Sequence, residues 1–210
     1  MSYKSYTEEL YNTIQAIESE QVENFISLLY DAYNTGRMVF VIGNGGSAAN
    51  ASHLAQDLAK GTRLSLEQVK RIRALSLTDN LPFVTALGND DGYDTVFEQQ
   101  LRTFAGPGDI LVAISGSGNS PNIIRAVEWA NKNGLRTVGI TGFDGGRLRQ
   151  INQHSVHVPL NDMCTAESVH SIIFHFVILE LQKKISEDEF FTEVKEIVEK
   201  KAEEPDKIEE

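Results

Sequence analysis

The most informative segment of the chain is Ile110-Leu111-Val112-Ala113-Ile114-Ser115-Gly116-Ser117-Gly118-Asn119-Ser120-Pro121. Its first five residues are apolar without alternation, which is typical of a strand buried on both faces of a parallel sheet. The glycines and serines that follow predict a tight turn, with Ser120 as a helix N-cap and Pro121 in the first helical position. A hydroxyl-rich turn that leads into a helix N-terminus favours phosphate binding. The candidate phosphate ligands are Ser115, Gly116, Ser117 and Ser120.

A second turn of the same kind follows the apolar stretch 38–42, which predicts another strand. It reads Gly43-Asn44-Gly45-Gly46-Ser47 and precedes a helix predicted over residues 48–60, which Ser47 is expected to cap. Ligands bind in open α/β sheets at the carboxyl ends of the strands, so Asn44, Gly45, Gly46 and Ser47 are further candidates. Tight turns without a ligand are the alternative, but two such turns in one sheet favour a ligand site. Neither turn has the Gly-Lys-Ser/Thr of a P-loop or the dinucleotide-binding fingerprint.

Short apolar strands alternate with helices along most of the chain. Further strands are predicted at 74–77, 137–140 and 155–158, and a long helix at 166–184. This order predicts an α/β fold, a three-layer αβα arrangement around a five-stranded parallel sheet, flavodoxin-like in topology. Residues 6–35 are predicted to be helical with a break near Ser19, and their wide apolar stripe either covers the home sheet or packs at a subunit interface. We expect one domain over residues 1–186 and a charged extension over 187–210, frayed from Glu203 onward.

Composition excludes some classes of function. A formal net charge of -11 over 210 residues argues against a nucleic-acid surface, although backbone amides can still bind an anion locally. Cys164 is the one cysteine, so no internal disulfide forms, which fits the cytoplasm. The segment Met1–Lys4 lacks the apolar core of a signal peptide, and no uninterrupted apolar run approaches ~20 residues, so no membrane contact is expected.

Titratable residues cluster on two of the predicted helices. His53 and Asp57 are four residues apart and share a face, which suits a shared metal, a side-chain hydrogen bond or a solvated surface. Glu167 and His175 on the late helix are eight residues apart, which is ~12 Å along a regular helix. They reach one metal only if the helix bends near its start. His170, on the same helix, is a further metal-site candidate, with a core histidine or an interface contact as alternatives.

The stretches Gly43–Ser47, Asn89-Asp90 and Ile114–Ser120 together resemble the SIS (sugar isomerase) domain, and within it the bacterial phosphoheptose isomerases. The resemblance extends from the N-terminal helices to about Lys184. It implies a cytoplasmic homotetramer that isomerises a sugar phosphate, sedoheptulose 7-phosphate, to D-glycero-D-manno-heptose 7-phosphate through an enediol in heptose biosynthesis.

The resemblance also implies roles for individual residues. It implies one zinc per subunit, bound by His53, Asp57, Glu167 and His175, with Asp57 as the base and His175 as the acid. Glu167 and Asn89-Asp90 are implied to contact the substrate, although an ordinary Asn/Asp turn is the alternative for the latter pair. The family usually has glutamate at the position of Asp57 and glutamine at that of Glu167, and its following arginine aligns with Arg63 only if the backbone shifts.

Two alternative interpretations assign the chain to other classes of protein. One is a non-catalytic SIS protein that binds a sugar phosphate or, like a relative of the isomerases, the bacterial replication initiator. That relative lacks the metal-site residues, which this chain retains. The other is a sugar-phosphate-sensing regulatory domain, which usually adjoins a kinase or DNA-binding module, and no such module is recognised in these 210 residues.

Overall fold

The computed structural model describes residues 2–203, with side chains described as far as residue 191. Within this range the strands are β1 (Met38–Gly43), β2 (Arg73–Ser76), β3 (Ile110–Ser115), β4 (Arg136–Thr141) and β5 (His154–His157). The α-helices are α1 (Tyr3–Gln15), α2 (Ser19–Thr35), α3 (Gly46–Gln56), α4 (Leu81–Asp90), α5 (Val96–Phe104), α6 (Pro121–Lys132), α7 (Leu148–Ile151) and α8 (Met163–Glu203). A π-helical turn (Asp57–Gly61) continues α3, and a 3-10 turn (Tyr93–Thr95) precedes α5.

The strands form one five-stranded parallel sheet, as the sequence predicts, and their order in it is β2-β1-β3-β4-β5. The chain moves outward from β1 to β2 and then returns to β3 on the other side of β1. The strand order therefore reverses between β1 and β3, where a crevice opens at the carboxyl ends of the two strands. The two predicted ligand-binding turns follow the ends of β1 and β3, so both lie at this crevice.

Helices cover both faces of the sheet. Along β1, Val39 and Val41 pack into the core formed with α2, α3 and α8, whereas Phe40 and Ile42 pack into the core formed with α5 and α6. All four side chains are completely buried. Apolar side chains on both faces explain why the strands show no alternation of polar and apolar residues, and the three-layer αβα prediction is confirmed.

The helix boundaries refine the sequence prediction. The break near Ser19 is confirmed, because α1 ends at Gln15 and α2 begins at Ser19. The apolar side of α2 is buried in the home core, whereas Thr13 alone is buried in α1. The long helix α8 begins three residues earlier than predicted, where the Asp162 carboxylate accepts a hydrogen bond of 2.8 Å from the Thr165 amide.

The same helix continues without interruption to Glu203, so the expected boundary at residue 187 lies inside α8. Residues 204–210, expected to be frayed, lie outside the described residues. By length and composition alone, the part of α8 from Met163 to Phe191 is long and apolar enough to span a membrane. Half of the apolar 18-residue window within this part is buried inside the fold, as in a core helix.

Candidate functional site

A cavity of about 240 Å³ lies in the crevice between the ends of β1 and β3. Two segments form most of its wall: the glycine-rich turn (residues 43–47) and the serine-rich turn (residues 115–120). Every residue of these turns that the sequence singled out as a ligand contact lines it, as do Glu167 and two residues that sequence reasoning missed, Ile114 and Met163. The lining from the two turns is Asn44, Gly45, Gly46, Ser47, Ser115, Gly116, Ser117 and Ser120.

The glycine-rich turn differs from the prediction in one respect. The N-cap of α3 is Gly45, not Ser47, because Gly45 adopts a φ of 54° and the helix starts at Gly46. Ser47 is therefore the second helical residue, and it is 4% exposed. The first amides of a helix have no intrahelical carbonyl partner, so those of Gly46 and Ser47 are suited to an anion in the cavity.

The serine-rich turn keeps its hydroxyl protons available. The Ser115 hydroxyl accepts a hydrogen bond of 3.2 Å from the Gly118 amide, and that of Ser117 accepts one of 3.3 Å from the Asn119 amide. A hydroxyl that accepts through a lone pair can still donate its proton to a ligand. Ser120 occupies the predicted N-cap position of α6 with Pro121 first in the helix, but its side chain makes no capping hydrogen bond within the described chain.

The loop 141–146, which starts at the last residue of β4, supports the serine-rich turn from outside. The Gly142 amide donates to the Gly116 carbonyl at 2.9 Å, and the Leu148 amide donates to the Gly118 carbonyl at 2.9 Å. Gly118 has a φ of 65°, and a Cβ at this position would collide with the carbonyl of Gly145. The backbones of the turn and the loop therefore lie in direct contact at this point.

Helices α3 and α8 run side by side in the same direction away from the cavity. At the cavity end, Gly46 lies against the carboxylate of Glu167. One turn further, Asn50 links the helices, because its Nδ2 donates to the Glu167 carbonyl at 3.0 Å and its Oδ1 accepts from the Ser171 hydroxyl at 2.8 Å. We call this line of contacts the α3–α8 seam.

The next turn of the seam brings together three potential metal ligands, His53, Asp57 and His175. One ligand atom from each lies within 4.8 Å of the other two. The His53 Nε2 atom is 3.2 Å from an Asp57 carboxylate oxygen, and the two imidazole rings meet edge to face with centroids 5.1 Å apart. Asp57 opens the π-helical turn, where the Thr62 amide donates to the Asp57 carbonyl at 3.2 Å. Such turns are frequent at functional sites.

Glu167, which the family resemblance implies as a metal ligand, is not one of the three clustered residues. The predicted bend is absent at this position, because α8 already begins at Met163 and Glu167 lies inside regular helix. Eight residues of regular helix separate Glu167 from His175 by ~12 Å along the axis. Its carboxylate instead occupies space against Gly46, where a Cβ would collide with it.

The remaining three residues have the chemistry of a zinc site. Two imidazoles and a carboxylate are zinc ligands, and donors on a tetrahedral zinc lie about 3.4 Å apart. The three side chains therefore need small rotations to reach one ion. Three protein ligands with an open fourth position are the usual arrangement of a catalytic zinc.

Three other predicted residues lie away from the cavity. Asn89 and Asp90 are the last residues of α4, exposed, with the Asn89 amide donating to the Asp90 carboxylate at 2.7 Å. They are not part of the cavity wall. His170 is completely buried and its Nε2 lies 3.2 Å from the Thr141 carbonyl. Burial lowers the pKa of this imidazole to about 4, so His170 is a neutral core histidine.

Comparison with known proteins agrees with this site. Residues 2–142 match the family described as SIS domain. The phosphoheptose isomerase of Geobacter sp. (strain M21) is 38% identical over 169 residues, which are 80% of this chain and 86% of the relative.

Solved structures give the same result. The phosphoheptose isomerase GmhA from Neisseria gonorrhoeae superimposes with a TM-score of 0.78 and 28% identity over 86% of this chain and 96% of its own. A phosphoheptose isomerase from Francisella tularensis superimposes with a TM-score of 0.79 and 26% identity over 86% of this chain and 94% of its own. The chain belongs to the SIS domain family and, within it, to the phosphoheptose isomerases.

Proposed function

We propose that this protein converts sedoheptulose 7-phosphate to D-glycero-D-manno-heptose 7-phosphate, an aldose–ketose isomerisation through an enediol. One observation carries the proposal: a cavity suited to phosphate and a cluster of two histidines and a carboxylate lie on the same α3–α8 seam. The cluster is about two helical turns from Glu167 at the cavity, which is ~12 Å. An extended chain advances roughly 1.2 Å per bond, so the seven bonds from C2 of the sugar to phosphorus cover roughly 8–9 Å, a length of the same order.

The two ends of the substrate have different partners in this proposal. The phosphate accepts hydrogen bonds from Ser115, Ser117 and Ser120 and from the first amides of α3. The sugar hydroxyls form hydrogen bonds with Glu167. They also form hydrogen bonds with Asn89 and Asp90, which lie outside the cavity wall. Because phosphate and Glu167 are both anionic, the Glu167 carboxylate is suited to accept from a hydroxyl rather than to approach the phosphate.

The cluster supplies the acid–base chemistry. Asp57 takes a proton from C1 of the ketose while His175 donates one to the carbonyl oxygen at C2, which gives the enediol. Asp57 then returns a proton to C2 and His175 removes one from the C1 hydroxyl, which gives the aldose. His53 lies 3.2 Å from Asp57 and holds its carboxylate in place. His53, Asp57 and His175 would hold a zinc ion, which stabilises negative charge on the substrate oxygen when bound.

We further propose a cytoplasmic homo-oligomer, a tetramer as the family resemblance implies. An apolar groove of about 710 Å³ between α1, α2 and α8 supports association. On α8, Ile172, Phe176 and Leu179 are 44%, 49% and 62% exposed, at the spacing of one helix face. The single cysteine is consistent with a reducing compartment.

The rival class is a non-catalytic SIS protein that binds a sugar phosphate or a protein partner. Binding by such a protein requires the cavity but does not require the His53–Asp57–His175 cluster. Metal content and turnover therefore separate the two classes.

The test measures bound metal by elemental analysis and turnover of sedoheptulose 7-phosphate with and without zinc. We expect about one zinc per chain, and a loss of kcat of about 10²-fold or more for Asp57→Asn and His175→Ala, because each removes a proton-transfer group. Asp57→Glu keeps the carboxylate and is expected to retain activity.

His154→Ala is the matched control, since it removes a histidine at the opposite edge of the sheet, where β5 begins. Full activity of His175→Ala would contradict the mechanism. Protein without metal and without turnover of any phosphorylated ketose would support the binding-protein class.

A further inference from the structure

We propose that Tyr93 and Asn122 are positioning residues, which fix the side-chain amide of Asn44 so that it offers an N–H group, not its oxygen, to the bound phosphate. The inference rests on the proposed function, because it assigns roles around the same cavity. It concerns two residues that the cavity wall itself does not include.

Asn122 is the second residue of α6 and is 2% exposed. Its Oδ1 atom accepts a hydrogen bond of 3.0 Å from the Ile123 amide. A backbone N–H can only donate, so the side-chain atom that faces it has to be the oxygen. The orientation of the Asn122 amide is thereby fixed, and its Nδ2 faces Asn44.

Asn44 and Asn122 form a reciprocal amide pair. The Asn122 Nδ2 donates to Asn44 Oδ1 at 2.9 Å, and the Asn44 Nδ2 donates to Asn122 Oδ1 at 2.9 Å. Exchange of N and O in Asn44 alone would place two donors and two acceptors face to face. The fixed orientation of Asn122 therefore dictates that of Asn44.

Tyr93 completes the arrangement, because its hydroxyl donates to the same Asn44 Oδ1 at 2.9 Å. An amide oxygen has two lone pairs, and both now have donors. What remains of the Asn44 side chain is the second N–H on Nδ2. Since Asn44 lines the cavity, this N–H adds a donor beside the hydroxyls of the serine-rich turn, whereas a flipped amide would present an oxygen to an anion.

The Tyr93 side chain has a support of its own. It lies on the 3-10 turn, which an ion pair of 3.0 Å between Asp94 and Arg125 joins to α6. The Tyr93 ring is 57% exposed and borders a second cavity of about 470 Å³ that shares Asn44 and Ser120 with the first. Because the hydroxyl lies at this rim and not in the core, Tyr93→Phe is not expected to impair folding.

The experiment is a double-mutant cycle on the full-length protein with Tyr93→Phe, Asn44→Ala and the double variant. Two quantities are measured: the Kd of inorganic phosphate by calorimetry, and KM and kcat for sedoheptulose 7-phosphate. Loss of one hydrogen bond weakens binding by about 3–10-fold, so we expect Tyr93→Phe to raise Kd and KM by that factor with kcat within about twofold. In the Asn44→Ala background, Tyr93→Phe is expected to change neither Kd nor KM.

Two further variants sharpen the result. Tyr30→Phe removes a tyrosine hydroxyl that bonds to Asp188, away from the cavity, and is expected to leave Kd and KM unchanged. Asn122→Asp keeps the oxygen for the Ile123 amide but replaces the donor toward Asn44, so it is expected to weaken phosphate binding more than tenfold. The negative charge that Asn122→Asp adds could by itself weaken phosphate binding, and that effect would persist in the Asn44→Ala background. An effect that acts through the position of Asn44 would disappear in that background.

Equal effects of Tyr93→Phe with and without Asn44, or no effect at all, would overturn the inference. A wild-type protein that binds phosphate but turns over no ketose would overturn the proposed function, and the Kd values alone would then decide the inference. A wild-type protein that binds no phosphate would overturn both.

Discussion

The imidazole of His170 is enclosed between α8 and the end of β4. Its ring stacks on Phe174 with centroids 6.4 Å apart, and its Nδ1 atom has no hydrogen-bond partner among the described residues. The Nε2 atom faces the Thr141 carbonyl, so the neutral ring carries its proton there. A proton added at Nδ1 would place an unpaired charge in the core.

This burial predicts a pH dependence of stability. Burial lowers the pKa of His170 from 6.5 to about 4 on folding, so the unfolded chain binds the additional proton first as the pH falls below 6.5. The free energy of unfolding is therefore expected to decrease by about 2 kcal/mol between pH 7 and pH 5 through this one group.

Urea denaturation of the wild type and of His170→Gln measures this contribution. The variant keeps a donor for Thr141 but does not titrate, so the stability difference between the two proteins is expected to shift by that amount over the same interval. A constant difference from pH 7 to pH 5 would show that His170 is not buried as described.

Single residues were predictable from sequence only where a spacing carries information. His53 and Asp57 are four apart on one helix, and that spacing alone places them on one face. Tyr93 and Asn122 carry no such pattern, because their partner Asn44 is 49 and 78 positions away along the chain. Contacts of that kind depend on the order of the strands in the sheet, and a short stretch of sequence does not reveal that order.

At the scale of elements, the serine-rich turn and the loop 141–146 act as one unit. Gly118 belongs to the turn, and its positive φ and its approach to the Gly145 carbonyl both require glycine. Gly36, after α2, has a similar φ of 67°, but a Cβ there would meet no atom within 4 Å. The two glycines thus separate the cost of the backbone angle from the cost of the collision.

We expect Gly36→Ala to reduce the free energy of unfolding by about 1–2 kcal/mol, the cost of a left-handed conformation for an L-residue. Gly118→Ala is expected to cost more, because backbone atoms of the loop have to move as well. Urea denaturation measures both, and equal losses would contradict the close contact between the turn and the loop. Phosphate binding is expected to weaken in Gly118→Ala only.

Element types followed from periodicity, whereas the exact ends of elements did not. The start of α8 at Met163 depends on the Asp162 cap, an exposed polar residue ahead of the apolar pattern. That shift of three residues decides whether Glu167 lies in a flexible first turn or in regular helix.

At the scale of the whole molecule, the outer side of α8 should decide assembly. Ile172, Phe176 and Leu179 form an exposed apolar strip beside the groove with α1 and α2. If the 23.3-kDa chains form the proposed tetramer, Phe176→Glu is expected to shift it toward smaller species in sedimentation velocity, because a charge would be buried in the interface. Leu66→Glu, at an exposed position between Gly61 and β2, is the matched control and is expected to leave assembly unchanged. A wild type that sediments as a monomer would contradict the proposal.

The support of the serine-rich turn by the loop 141–146 also affects the thermodynamics of ligand capture. The amides of Gly142 in this loop and of Leu148 at the start of α7 hold the carbonyls of Gly116 and Gly118 in place through hydrogen bonds within the chain itself. A loop that is ordered in advance gives up little conformational entropy on binding, so more of the contact energy appears as affinity. No loop has to become ordered before an anion binds. The association rate is therefore expected to depend on diffusion and ionic strength, not on a conformational step.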